Sequence, residues 1–94
     1  MNRRITDKDL SNLIRILNEE TGNPVDYFDS EKKKCNPGNF HLDSAYGGVA
    51  LCRTCNDAGG ASNIIGRGTK QWLYDQIQTY RAGIRFGREL TNAN

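Results

Sequence analysis

The chain has 94 residues, of which 13 are Lys or Arg and 11 are Asp or Glu, so its formal net charge is only +2. A chain of this length buries about two-thirds of its unfolded surface, which allows one modest core and excludes a second domain. The charge is too small to indicate nucleic-acid binding by itself, and no apolar run approaches the ~20 residues of a membrane span. We expect one cytoplasmic domain over residues 1–90 with a flexible tail at 91–94.

The first predicted element is an amphipathic helix from about Asp7 to Thr21. Thr6 is followed three residues later by Asp9, a spacing typical of a capping box at a helix start. Apolar residues then recur at i, i+3, i+4 and i+7, which places them on one stripe facing a core: Leu10, Leu13, Ile14 and Leu17. Gly22 and Pro24 supply the stop signal.

Short β-prone segments follow this helix. The apolar residues at 25–28 and the turn-forming Asn36-Pro37-Gly38 predict a hairpin. Phe40 and Leu42 alternate with polar neighbours, which is typical of a half-buried strand. That strand leads through Ala45-Tyr46-Gly47-Gly48 toward a second one, because paired glycines suit a tight turn.

The remaining chain is predicted to contain a loop and a second helix. Residues 49–56 fit either a strand or a short helix, and the Gly-rich stretch 57–68 is loop-like. Thr69 caps a helix whose apolar residues share one face: Leu73, Ile77, Tyr80 and Ile84. An N-terminal and a C-terminal helix flanking a small antiparallel β-sheet of two or three strands give an α+β fold class.

The three cysteines raise the question of a metal site. Two residues separate Cys52 from Cys55, which lets two thiolates face one tetrahedral ion. Cys35 and His41 would complete a zinc set, but the five residues between them exceed the usual knuckle gap of about two to four. The favoured interpretation is that the cysteines are small buried side chains on a strand. We therefore predict no cofactor, with zinc as the alternative.

An enzymatic interpretation rests on the same segment. His41 followed by Cys52 to Asn56 is similar to a degraded ββα-metal (HNH-type) nuclease, whose chemistry needs a histidine base and separate metal ligands. The chain has one histidine in total, and Asn56 stands where a second would be wanted. We therefore assign no catalytic residue.

Two basic features are candidates for phosphate contact. Arg67 and Lys70 flank a predicted helix start, where N–H groups and the helix dipole favour an anion. Arg81, Arg85 and Arg88 would share a stripe facing a nucleic-acid backbone if the last helix continued through two glycines. The favoured interpretation of that stripe is an ordinary solvated helix face.

The run Gly38-Asn39-Phe40-His41-Leu42, then Ala45-Tyr46-Gly47-Gly48-Val49 and later Asn56 with Gly59-Gly60, resembles an uncharacterised family of small phage and prophage accessory proteins. The resemblance covers most of the chain and implies a phage origin more firmly than a mechanism. Family members typically carry other residues where this chain has Cys52 and Cys55, which argues against a family-wide zinc site.

The resemblance therefore implies a phage-type accessory protein that acts in the cytoplasm of an infected bacterial host. Its predicted role is non-catalytic binding of a host protein or a nucleotide-like ligand in host takeover or anti-defence, with homo-oligomerisation left open. The predicted ligand-binding residues are Phe40, His41, Tyr46, Gly47, Gly48, Asn56, Arg67 and Lys70. The alternative is a zinc-stabilised nucleic-acid-binding module, distantly HNH-nuclease-like, with Cys35, His41, Cys52 and Cys55 as ligands.

Overall fold

A computed structural model describes residues 4–92, except for the side chain of Asn92. The elements in chain order are α1 (Asp7–Thr21), β1 (Phe28–Asp29), β2 (Lys34–Cys35), β3 (Phe40–Ala45), β4 (Gly48–Thr54), β5 (Ala61–Gly68) and α2 (Lys70–Asn92). Strands β1 and β2 form a two-stranded antiparallel sheet, and β3, β4 and β5 form a three-stranded antiparallel sheet in that order. The predicted α+β class with a helix at each end is confirmed.

Helix α1 has the predicted bounds and caps. The Thr6 side chain accepts a hydrogen bond from the Asp9 N–H, and the Asp9 carboxylate accepts one from the Thr6 N–H at 2.9 Å. Gly22 ends the helix in the left-handed conformation at φ 72°, where a residue without Cβ is unstrained. The whole element is therefore determined by local signals that the sequence displays.

The three-stranded sheet settles one open prediction and corrects another. Residues 49–56 form a strand as far as Thr54, paired with β3 through the register Ala45↔Gly48 to Phe40↔Arg53. The prediction that 57–68 is a loop is wrong over its second part, because Ala61–Gly68 is strand β5, paired with β4 through an irregular register. Strand β5 is mostly exposed, so it lacks the apolar alternation by which half-buried strands are recognised.

The core lies between one face of the three-stranded sheet and the two helices. Its fully buried large apolar side chains come from α1, β4 and α2: Leu10, Leu17, Leu51, Leu73 and Ile77. Burial of each such side chain is worth about 1.5–3 kcal/mol. The opposite face of the sheet carries His41, Asp43, Cys52 and Asn63. Within the described residues no helix packs on it, so it is called the uncovered face.

Helix α2 is longer than its glycines predict. It continues through Gly83 and Gly87 to Asn92, although each glycine in a helix interior costs about 1 kcal/mol relative to alanine. Of the predicted flexible tail at 91–94, the first two residues belong to α2, and residues 93–94 lie outside the described residues. Over the described part of the chain, no helix is long and apolar enough to cross a membrane.

Candidate functional site

The turn between β3 and β4 holds its tyrosine in an unusual conformation. Tyr46 and Gly47 have φ angles of 51° and 75°, and the flanking Ala45 and Gly48 pair directly. A two-residue hairpin turn with two positive φ angles favours Asn or Gly at its first position. Tyr46 is instead 98% exposed, so the fold gives its ring almost nothing to pack against. A non-glycine residue in this region costs roughly 1–3 kcal/mol.

Arg67, reaching across from β5, fixes the shape of this turn. Its Nη1 donates to the carbonyls of Asp43, Ala45 and Gly48 at 3.0, 3.1 and 3.1 Å, and its Nη2 donates to the Asp43 carboxylate. A Cβ on Gly48 would lie 2.9 Å from the Arg67 Cγ. Only glycine at this position therefore leaves room for the Arg67 side chain to cross the turn. The guanidinium predicted to hold an anion is thus occupied by the turn.

Three of the predicted residues meet beside the turn. Gly47, Gly48 and Lys70 line a cavity of about 420 Å³ together with Ser44 and Asp7. The Lys70 Nζ lies 2.9 Å from Asp7 Oδ1, so the first turns of both helices converge here. The Asp7 carboxylate partly offsets the charge of Lys70, and both side chains remain exposed to solvent, at 78% and 44%.

Phe40 and His41 lie elsewhere on β3 and point to opposite faces of the sheet. Phe40 is buried in the core and has edge contact with Tyr80. His41 lies on the uncovered face, where its ring meets Tyr27 edge-on at 4.8 Å between centroids. Its Nδ1 is 3.4 Å from the Thr54 hydroxyl. Of these two residues, only His41 is therefore placed to touch a ligand on the uncovered face.

The uncovered sheet face carries a shallow cavity of about 610 Å³. His41, Cys52 and Asn63 form a row across β3, β4 and β5, since each is register partner to the next. The lining residues are Tyr27, His41, Leu42, Asp43, Cys52, Ala61 and Asn63. An aromatic wall next to amide and carboxylate groups is typical of a small-ligand pocket.

Asn56 has a local structural role. Its Oδ1 accepts hydrogen bonds from the N–H groups of Ala58 and Gly60 at 3.1 and 2.9 Å. This side chain therefore closes the bend between β4 and β5 in the manner of an Asx turn. It does not line the cavities at the turn or on the sheet face.

The structure does not gather the cysteines into one site. The Cys52 thiol donates to Asn63 Oδ1 at 3.1 Å, whereas the Cys55 sulfur lies 3.1 Å from the Ser62 hydroxyl. Burial, reinforced by the Asp43 charge, raises the pKa of the Cys52 thiol, which disfavours the thiolate needed for metal binding or nucleophilic attack. Across residues 4–92, no group of three or more His, Cys, Asp or Glu side chains is arranged to hold a metal ion.

The basic stripe on α2 is engaged by α1. Arg81 Nε and Arg85 Nη2 donate to the Glu20 carboxylate at 2.9 and 2.7 Å, and Arg88 donates to the Glu20 backbone carbonyl. The hydrogen bonds from Arg81, then those from Arg85, lower the pKa of Glu20 to about 2. These guanidinium groups hold the end of α1, which gives the stripe a role within the fold.

Sequence reasoning missed Asn18 of α1, whose side chain contacts the edge strand β3. This buried side chain donates from Nδ2 to the Phe40 carbonyl at 3.0 Å, and its Oδ1 accepts from the Phe40 N–H at 2.7 Å. An asparagine directly after the apolar Leu17 was the one signal in the sequence. Beside it, a cavity of about 260 Å³ opens between α1 and β3.

Comparison of the chain with protein-family models, curated proteins and solved structures finds no match. The resemblance to phage accessory proteins therefore stays a prediction.

Proposed function

We propose that this protein is a non-catalytic binding protein that presents Tyr46 to a pocket on a partner protein. The observation that supports the proposal is the combination of positive φ and 98% exposure at Tyr46. Strained residues of this kind concentrate at functional sites, because selection retains their cost for a purpose outside the fold. Here Asn or Gly would form the same turn with less strain.

A rigid exposed tyrosine suits protein recognition. Tyrosine supplies a large contact area with few rotatable bonds, and it is enriched among the residues that dominate binding energy. Arg67 holds both strands of the turn through Asp43, Ala45 and Gly48. Because the turn is ordered before binding, less conformational entropy is lost when a partner takes up the ring.

The partner follows from the resemblance to phage accessory proteins. Such a protein would act in the bacterial cytoplasm on a host protein, in takeover of the host or in evasion of its defences. This part of the proposal depends on the resemblance, whereas the role of Tyr46 depends only on geometry.

The test is retention of a partner by immobilised protein from bacterial lysates, read by quantitative mass spectrometry. We expect at least one protein to be retained by the wild type and by Tyr46→Phe, and to fall about tenfold or more with Tyr46→Asn, as for loss of an aromatic hot spot. Phe86→Gln is the matched control, because Phe86 is also exposed, at 61%, but lies on α2. A retained set that does not respond to Tyr46→Asn would contradict the proposal.

A second candidate function is binding of a nucleotide-like ligand on the uncovered sheet face. The Cys52 thiol fixes Asn63 through its Oδ1, which leaves the amide nitrogen for a ligand acceptor, next to the rings of Tyr27 and His41. Aromatic contact with a heterocycle and one directed amide are the elements of base recognition. Calorimetric titration with nucleotides tests this function: heat that disappears in Asn63→Ala supports it, and no heat with any nucleotide excludes it.

A further inference from the structure

The outer edge of β3 has open hydrogen-bonding positions. In an antiparallel pair, residues alternate between exchanging backbone bonds with the partner strand and pointing their N–H and C=O away from it. The backbone N–H and C=O of Phe40 point away from β4, because both are hydrogen-bonded to the Asn18 side chain. The backbone N–H and C=O groups of Leu42 and Ser44, two and four residues later, therefore also point away from β4. Within residues 4–92, neither meets a hydrogen-bond partner on that edge.

Asn18 shows that this edge accepts an amide. Its side chain presents one carbonyl and one N–H to Phe40 at 3.0 and 2.7 Å, which are the two bonds that a residue of an adjoining strand would make. The amide of α1 therefore closes the first outward position of the edge. At the next two positions, no described residue provides such a group.

Two cavities lie between α1 and β3 beside these open positions, and together they are called the groove. At one end is the cavity of about 260 Å³, lined by Leu42 together with Ser11, Ile14 and Arg15 of α1. At the other end is the cavity of about 420 Å³, lined by Ser44 with Asp7 and Lys70. A helix facing an edge strand across a groove is the arrangement in which extended peptides add to a sheet.

The two ends of the groove differ in charge. Asp7 and Lys70 offset each other at the Ser44 end. Arg15 and His41 line the Leu42 end, and this cavity has no acidic residue among its described lining residues. Arg15 makes its ion pair with Glu19 through Nη1, with its side chain about half exposed, so further guanidinium donors can meet an incoming carboxylate.

We propose that the groove between α1 and β3 binds an extended segment of a partner protein as an added β-strand, with an acidic side chain of that segment at Arg15. The segment pairs with the outward backbone groups of Leu42 and Ser44, and it ends next to the turn that carries Tyr46. This inference rests on the proposed function, since the groove and Tyr46 would contact the same partner.

The experiment uses a display library of random dodecapeptides, panned against the full-length protein. Ser44→Pro is the key variant: it removes an outward N–H and no bond to β4, and its ring obstructs the edge. Ser44→Ala is the matched control. Enriched peptides should bind Ser44→Ala like the wild type, bind Ser44→Pro about tenfold more weakly, and weaken several-fold with Arg15→Gln, as for lost hydrogen bonds at a peptide site.

Amide hydrogen exchange in the wild type provides a measurement that does not depend on any variant folding. A bound peptide should slow exchange at Leu42 and Ser44 about tenfold or more, because both amides gain acceptors. The inference is overturned if no peptide is enriched, if enriched peptides bind Ser44→Pro as tightly as wild type, or if exchange at both amides is unchanged.

The outcomes separate this inference from the proposed function. A lysate partner lost in Tyr46→Asn but retained in Ser44→Pro would remove the groove and keep the tyrosine. A partner lost in Ser44→Pro but retained by Tyr46→Asn would remove the role of the tyrosine and keep the groove. Tyr46→Asn should leave short-peptide binding within about twofold of wild type, since the ring lies beyond the paired positions.

Discussion

Two regions of this molecule, the end of α1 and the β3–β4 turn, are each held by arginines from a distant part of the chain. The two regions differ in whether their residues serve only the fold. At the end of α1, Arg81, Arg85 and Arg88 converge on Glu20. At the β3–β4 turn, Arg67 binds three carbonyls and a carboxylate. The first cluster binds one helix to the other. The second holds a turn whose exposed residue makes almost no contact within the fold.

The difference shows how to separate structural from functional polar groups. The Glu20 cluster accounts for its own residues: the carboxylate lies at the negative end of the α1 dipole, and three cations offset that unfavourable position. The turn accounts for Arg67 and Gly48 but not for Tyr46, which is strained and exposed. What the fold does not explain is the better candidate for function.

The largest expected effect is on the Glu20 cluster. Glu20→Gln should lower the free energy of unfolding by about 2 kcal/mol, because charge-assisted hydrogen bonds to a partly buried carboxylate are lost. Glu19→Gln is the matched control, since its pair with Arg15 is about half exposed and is worth less than about 1 kcal/mol. Urea unfolding measures both, and equal losses in the two variants would show that the cluster is ordinary surface charge.

The same cluster predicts an acid dependence with a definite sign. The arginines lower the pKa of Glu20 from 4.5 to about 2, so its stabilisation is fully present above the unfolded pKa of 4.5 and is lost as the pH falls through about 2. The stability difference between wild type and Glu20→Gln should therefore be constant above pH 4.5 and should shrink steadily below it. A difference that already shrinks near neutral pH would contradict this assignment.

At the turn, Arg67→Met should lower the free energy of unfolding by roughly 1.5 kcal/mol, because several carbonyls lose a shared charged donor while the aliphatic part of the side chain is kept. Asp43→Asn is the control, since it removes the carboxylate charge but leaves the carbonyl bonds, and it should cost less than about 0.5 kcal/mol. NMR order parameters should fall at Tyr46 and Gly47 in Arg67→Met only. An equally rigid turn in that variant would show that Arg67 does not order it.

How far the sequence predicts the fold depends on how local the determining contacts are. Helix α1 was predicted to its bounds, because its capping box, apolar stripe and terminal glycine are all within its own residues. Strand β5 was missed because it exists by pairing with β4 while most of its side chains are exposed. The length of α2 was missed because Arg85 and Arg88 fasten its distal half to Glu20, 65 and 68 residues away.

The candidate site follows the same division. The Gly-rich turn was predicted from its own residues, and Gly47, Gly48 and Lys70 do line one cavity. The partners of Arg67 were not predictable, because they are 19 to 24 residues distant in sequence. Asn18 was missed for the same reason, since its role depends on Phe40, 22 residues away.

The smallest expected effect is on Tyr46, and it has the opposite sign to the others. Tyr46→Asn should raise the free energy of unfolding by about 0.5–1 kcal/mol, because asparagine tolerates a positive φ better and a ring that is 98% exposed contributes no packing. Gly47→Ala is the reference for backbone strain, because the added Cβ meets nothing within 4 Å while φ is 75°. Its free energy of unfolding should fall by about 1 kcal/mol. Thermal and urea unfolding measure both. A Tyr46→Asn variant less stable than wild type would mean that the ring serves the fold itself, which would remove the reason for placing it in a partner's pocket.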